Sequence, residues 1–216
     1  MIERVRSPAG SPGAGGRGQR VARSPRNAGT GADALRLFFA LVPDATARAG
    51  LAALARQVAH TTRGRPPSAA NLHLTLAFLG SVARARLAEL REIGGAAARA
   101  VSPFGLRLDR VGGFRGSGIA WAGTASTPDE LLRLVAAINL ALGTAGFAVE
   151  TRPFHAHVTL ARHCSRLPEP AAIETVGWRV DRMVLMVSET RPEGPVYREV
   201  AAWPLTGSIL ETTFAE

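Results

Sequence analysis

From Leu35 onward the apolar positions of this chain switch between two periods. LRLFFALV, Leu35–Val42, is a short apolar run that predicts a buried strand. Asp44 stands where a helix cap belongs, and Leu51, Leu54 and Val58 share one stripe at helical spacing, which predicts a helix to about His60. A loop with Gly64, Pro66 and Pro67 comes next. In NLHLTLAFL, Asn71–Leu79, the apolar residues Leu72, Leu74, Leu76 and Phe78 alternate with His73, Thr75 and Ala77, the period of a strand. That alternation assigns Phe78 to the core face. Ala83–Val101 predicts a helix weakened by Gly94 and Gly95, and Phe104–Val111 and Gly118–Gly123 predict strands across a glycine-rich turn. Thr127, Pro128 and Glu130 together form the signature of a capped helix start, with Gly143 closing that helix. Pro153–Arg162, Trp178–Ser188 and Val196–Trp203 complete the predicted strands, and the last dozen residues carry no pattern.

The pattern repeats. Strand, helix and a strand bearing His-x-Thr occur twice, with 38 residues from Leu35 to His73 and 38 from Ile119 to His157. Internal self-similarity constrains architecture before any fold is assigned. The expected fold is α/β of the α+β kind: a bilobal pseudo-twofold repeat, two antiparallel sheets flanked by helices, and a central cleft between them.

Charge changes the picture mainly at the N-terminus. Residues 1–34 hold six arginines against Glu3 and Asp33 among Gly, Pro and Ser, so they are expected to form a disordered basic tail. Residues 35–204 form the expected domain and 205–216 a C-terminal tail. The net charge of +9 favours an anionic partner. The longest apolar run, Leu37–Val42, is far short of a membrane span, and a single cysteine excludes an internal disulfide. No membrane partner is expected.

The two His-x-Thr strands carry the chemistry. Residues i and i+2 of a strand share a face, so His73 sits beside Thr75, and His157 beside His155 and Thr159. If the strands are symmetry mates, two imidazoles and two hydroxyls converge. One imidazole can act as general base and the other as general acid, each contributing roughly 10²–10⁴-fold. Hydroxyls and a nearby arginine supply donors to an oxyanion. This set suits in-line displacement at phosphorus without a metal. Zinc at His155, His157 and His163 is the competing reading, but no acidic residue lies between Pro153 and Leu167. A Cys164 nucleophile has no assembled partners.

HLTL and HVTL, in the contexts NLHLTLAFLG and PFHAHVTLAR, together with RLFFAL, resemble the two-histidine phosphoesterases. Within them the chain looks most like the bacterial RNA 2′,3′-cyclic phosphodiesterases, historically called 2′-5′ RNA ligases, over about residues 35–204. The resemblance implies hydrolysis of RNA 2′,3′-cyclic phosphate ends to 2′-phosphates with no cofactor and no metal. It implies His73 as the acid to the departing 3′ oxygen and His157 as the base for water. Thr75, Thr159 and Arg162 would hold phosphate oxygens. The implied partner is RNA with a cyclic phosphate end, tRNA fragments included, met in the cytoplasm by a monomer. The alternatives are an RNA-end-binding module without turnover, or a phosphodiesterase or 2′-5′ ligase acting on another end. His155 is left between a rim contact to substrate and a structural hydrogen bond. Phe78 could stack on a terminal base only if its strand bends, and Arg115 is either a phosphate contact or a solvated charge.

Overall fold

The computed structural model describes residues 33–191 and 194–207, and the basic segment expected before Asp33 lies outside them. The described elements are β1 (Ala34–Leu41), α1 (Ala45–Thr62), β2 (Leu74–Ala83), α2 (Leu87–Arg99), β3 (Phe104–Phe114) and β4 (Ile119–Gly123). They continue with α3 (Asp129–Thr144), β5 (His157–Ala161), β6 (Ala171–Val180), β7 (Arg182–Arg191) and β8 (Gly194–Pro204). The expected strand Trp178–Ser188 is split at Asp181 between β6 and β7.

The strands lie in the order β6-β3-β4-β5-β2-β1-β7-β8, every neighbour antiparallel. This is the α+β class read from the sequence, with the two expected sheets joined as halves of one. Each half has four strands, and the halves meet where Leu74 of β2 pairs with Val158 of β5. The repeat units β1-α1-β2 and β4-α3-β5 occupy matching places on either side. Helices cross the seam: α1 packs on β5 and β6, whereas α3 packs on β2 and on α2. Neither half buries its apolar face alone.

Alternation decides the faces of β1. Leu37, Phe39 and Leu41 enter the main core under the helices, while Phe38 and Ala40 join a small second cluster with Val184 and Met186 on the opposite face. That face carries the candidate site.

Helix ends agree with the sequence at one place and depart from it at another. Asp44 caps α1 as expected, its side chain accepting from the Ala47 N–H at 2.8 Å. The capping box expected at α3 does not form. Pro128 takes the cap position, the helix starts at Asp129 without a side-chain cap, and Glu130 pairs with Arg133 at 3.1 Å instead. Asp129 and Glu130 still lie in the first turn, where they complement the helix dipole. The helix also outruns Gly143, and the left-handed residue that ends it is Gly146 (φ 72°). Gly94 has a packing role: a side chain there would put its first carbon 2.5 Å from the Trp203 ring. Past β8 the chain stays attached, with Leu205 buried and the Gly207 N–H bonded to Val101 O at 3.0 Å.

Candidate active site

Strand β2 is two residues longer than the stretch of β1 it pairs with. Ala40 and Phe39 oppose Thr75 and Ala77, and Phe38 and Leu37 oppose Phe78 and Gly80, so Leu76 and Leu79 are extra. Each extra residue is a β-bulge, which breaks the two-residue alternation and re-aims the side chains after it. Leu74, Leu76, Ala77 and Leu79 are buried, whereas Thr75 and Phe78 are not. The core assignment of Phe78 is thereby overturned: its ring is 52 % exposed, with the Arg36 guanidinium 5.6 Å from its centroid.

The Leu74–Val158 pair fixes how the two His-x-Thr segments meet. In an antiparallel register, one residue either side of it sets His73 across from Thr159, and Thr75 across from His157. Both partners of the central pair are fully buried, so an alanine at Leu74 would cost about 2–5 kcal/mol and loosen the crossing. His73, Thr159 and Arg162 line a cavity of about 430 Å³. An adjoining hollow of about 260 Å³ shares His73, Arg162 and Tyr197 and adds Thr75, Phe78 and Arg36.

The two imidazoles are held in the same way. His73 Nδ1 meets Asn71 O at 2.7 Å, and His157 Nδ1 meets His155 O at 2.8 Å. A carbonyl oxygen only accepts, so each Nδ1 carries the proton and each Nε2 is left for chemistry. Burial lowers the pKa of both rings below the usual histidine value; the carbonyl bond opposes that in each, and the Arg162 charge adds to it. The two histidines are close enough for His157 to lower His73 as well.

Aromatic side chains that the sequence pattern did not single out clamp both rings. Phe38 and Tyr197 each lie 5.0 Å from His73 between centroids, and Phe114 lies 4.9 Å from His157. Tyr197 is the chain's only tyrosine, and Phe114 ends the strand that enters the glycine-rich turn. Neither stands at a spacing that relates it to a histidine. His155 lies just before β5, exposed, its ring 4.7 Å from Trp121 and 5.4 Å from Phe114. It lines neither cavity, and its carbonyl is what holds His157. Arg115 lines neither of these cavities and sits at a separate hollow with Arg166.

Arg162 forms no ion pair among the described residues, so its charge is available to a ligand. No three His, Cys, Asp or Glu side chains among them converge as a metal-ligand set. No helix among them is long and apolar enough to cross a membrane.

The profile of the 2′-5′ RNA ligase superfamily matches residues 42–192. The chain belongs to that superfamily. A relative from Thermus thermophilus, an RNA 2′,3′-cyclic phosphodiesterase, is 31% identical over 182 residues, 80% of this chain and 91% of its own. The Escherichia coli enzyme of the same name is 32% identical over 175 residues, 79% of this chain and 97% of its own. The crystal structure of E. coli LigT in apo form superposes with a TM-score of 0.72 at 30% identity, covering 81% of this chain and 99% of LigT. LigT complexed with 3′-AMP gives the same TM-score, covering 80% of this chain and 99% of that one. The superfamily is therefore the one that the HLTL and HVTL segments resemble.

Proposed function

We propose that this protein opens RNA 2′,3′-cyclic phosphate ends to 2′-phosphomonoesters, with His157 as base and His73 as acid. The observation that carries the reading is the matched pair of Nδ1–carbonyl bonds, 2.7 and 2.8 Å, which leaves two Nε2 atoms free on either side of the Leu74–Val158 pair. His157 Nε2 takes a proton from water as the water oxygen bonds to phosphorus. The P–O3′ bond breaks in line, and His73 Nε2–H passes its proton to the departing 3′ oxygen. The Thr75 and Thr159 hydroxyls and the Arg162 guanidinium face the non-bridging oxygens, where charge builds in the transition state. Relatives named RNA 2′,3′-cyclic phosphodiesterase support the substrate class.

Burial sets the order of events. With both pKa values depressed, neither ring is protonated in most free molecules at neutral pH. An incoming phosphodiester anion favours the protonated form of the ring it approaches, and that ring becomes the acid. The exposed face of Phe78 beside His73 and Thr75 offers a surface to a terminal base. Every group named belongs to one chain, so a monomer carries a complete site, and the mechanism assigns no step to a metal.

The test is an oligoribonucleotide ending in a 2′,3′-cyclic phosphate, incubated with and without EDTA, its product mapped as the 2′ or 3′ monoester. A 2′-phosphate formed equally in both conditions supports the reading. Retention of the intact cyclic end would make the protein a binding module. Loss in EDTA, restored by a divalent metal, would overturn the metal-free mechanism.

A further inference from the structure

The larger cavity extends beyond the groups that the cyclic phosphate would use. Past His73, Thr159 and Arg162 it is bounded by Arg65, Ser68 and His163, and no carboxylate lines it. Arg65 is exposed and forms no ion pair among the described residues. An arginine aimed into an acid-free cavity has no structural partner there to account for it.

Its position is built by the backbone. Helix α1 ends on Arg63 in the left-handed conformation (φ 54°), which turns the chain back across the end of β5. Gly64 permits the close pass: a side chain there would put its first carbon 2.7 Å from Cys164 Sγ and 3.0 Å from Arg162 O. Arg65 and Arg162 then exchange both backbone hydrogen bonds, at 2.8 and 2.9 Å. The two residues of such an antiparallel pair send their side chains to the same face, with Cα atoms about 5.5 Å apart. Arg65 is therefore presented beside Arg162, on the same side and one side-chain width further along. His163 adds a second sign of constraint. It is a non-glycine residue at φ 55°, a conformation that costs free energy and concentrates at ligand sites, and it lines the same cavity. The far wall is fixed too, since Asn71 Nδ2 donates to Pro195 O at 2.7 Å and ties the approach to β2 to the start of β8.

We infer that this arm of the cavity is a second-nucleotide subsite, in which Arg65 binds the phosphodiester joining the terminal nucleoside to the rest of the RNA. The inference rests on the proposed function and extends it. Arg162 holds the reacting phosphate, and Arg65 holds the next one along the strand through a planar fork suited to phosphate oxygens. Oligonucleotides are then better substrates than cyclic mononucleotides, and the advantage resides in one internal phosphate.

Three substrates test it: a cyclic mononucleotide, the matching dinucleotide with a cyclic end, and that dinucleotide with an uncharged methylphosphonate linkage. Wild-type protein is expected to favour the charged dinucleotide over the other two by about tenfold in kcat/KM, the scale of one charged hydrogen-bonded contact. Arg65→Ala should bring that ratio close to one, Arg65→Lys should restore part of it, and the alanine variant should lose nothing further on the methylphosphonate. Its log kcat/KM for the charged dinucleotide should also depend less steeply on log salt, by about 0.7 for one lost contact to a single strand. The paired hydrogen bonds are backbone ones, so the alanine variant keeps them, and the methylphosphonate probes the same contact with no substitution. Equal losses on all three substrates, or a wild-type ratio near one, would overturn the subsite. Failure of wild-type protein to open even the mononucleotide would instead strike the functional reading, and the subsite with it.

Discussion

Replacing Phe78 with alanine separates two accounts of the same residue. Strict alternation along NLHLTLAFL puts the ring in the core, where Phe→Ala costs about 3–5 kcal/mol. For a domain of this size a kcal/mol is roughly 2–4 °C, so the melting point would fall by at least about 6 °C. The bulges at Leu76 and Leu79 put the ring instead on the open face, 52 % exposed. A substitution there should move stability by no more than about 0.5 kcal/mol, or roughly 2 °C. The cost then appears in binding. Base–aromatic stacking contributes about 1–3 kcal/mol per base, and Arg36 already lies over the Phe78 ring, which leaves one face and favours the lower end. KM for a 2′,3′-cyclic nucleotide should rise about five- to tenfold. A cyclic phosphate of 1-O-methylribose, which has no base, should be unaffected, and Phe78→Trp should retain the nucleotide advantage. Thermal unfolding by circular dichroism and initial rates by chromatography supply both readouts. A melting point lowered by about 6 °C or more would return Phe78 to the core, and an unchanged KM for the nucleotide would refute stacking.

His73→Ala and His157→Ala should each lower kcat by roughly 10²–10⁴-fold, and the double variant should be little worse than either, because acid and base act as one unit. Single-turnover rates that multiply across the pair would contradict that. The kcat/KM profile needs one imidazole protonated and one neutral, and burial lowers both pKa values, so the maximum should lie on the acid side of about 6.5. An optimum above about pH 7 in cyclic-mononucleotide assays, with chemistry rate-limiting, would argue against it. The same depression makes the unfolded chain bind protons first as pH falls, so the two histidines should lower the melting point below about pH 6.5. The double alanine variant should show a shallower acid slope in the same buffers.

Local pattern determined much of this protein. The 38-residue spacing from Leu35 to His73 and from Ile119 to His157 reports two like units, and they occupy matching places in the sheet. Asp44 reads as a cap and acts as one, because capping involves only residues three apart. His73 with Thr75 on one face needs nothing beyond the pleat. Prediction failed wherever a distant neighbour decides. Phe78 is turned out by bulges whose existence depends on which residues of β1 lie opposite. A local signature missed once as well: Thr127 carries the cap motif, but the chain enters α3 one residue later, with Pro128 at the cap. Phe38, Tyr197 and Phe114 surround the histidines from strands far away in sequence, so no spacing reveals them. The joining of two sheets at Leu74–Val158, and the pairing of Arg65 with Arg162, are likewise contacts between segments some 84 to 97 residues apart. Side-chain period and capping chemistry are encoded within a few residues of chain. Register across a sheet, bulges and the walls of a cleft depend on the balance of packing and hydrogen bonding between segments that only the folded chain brings together.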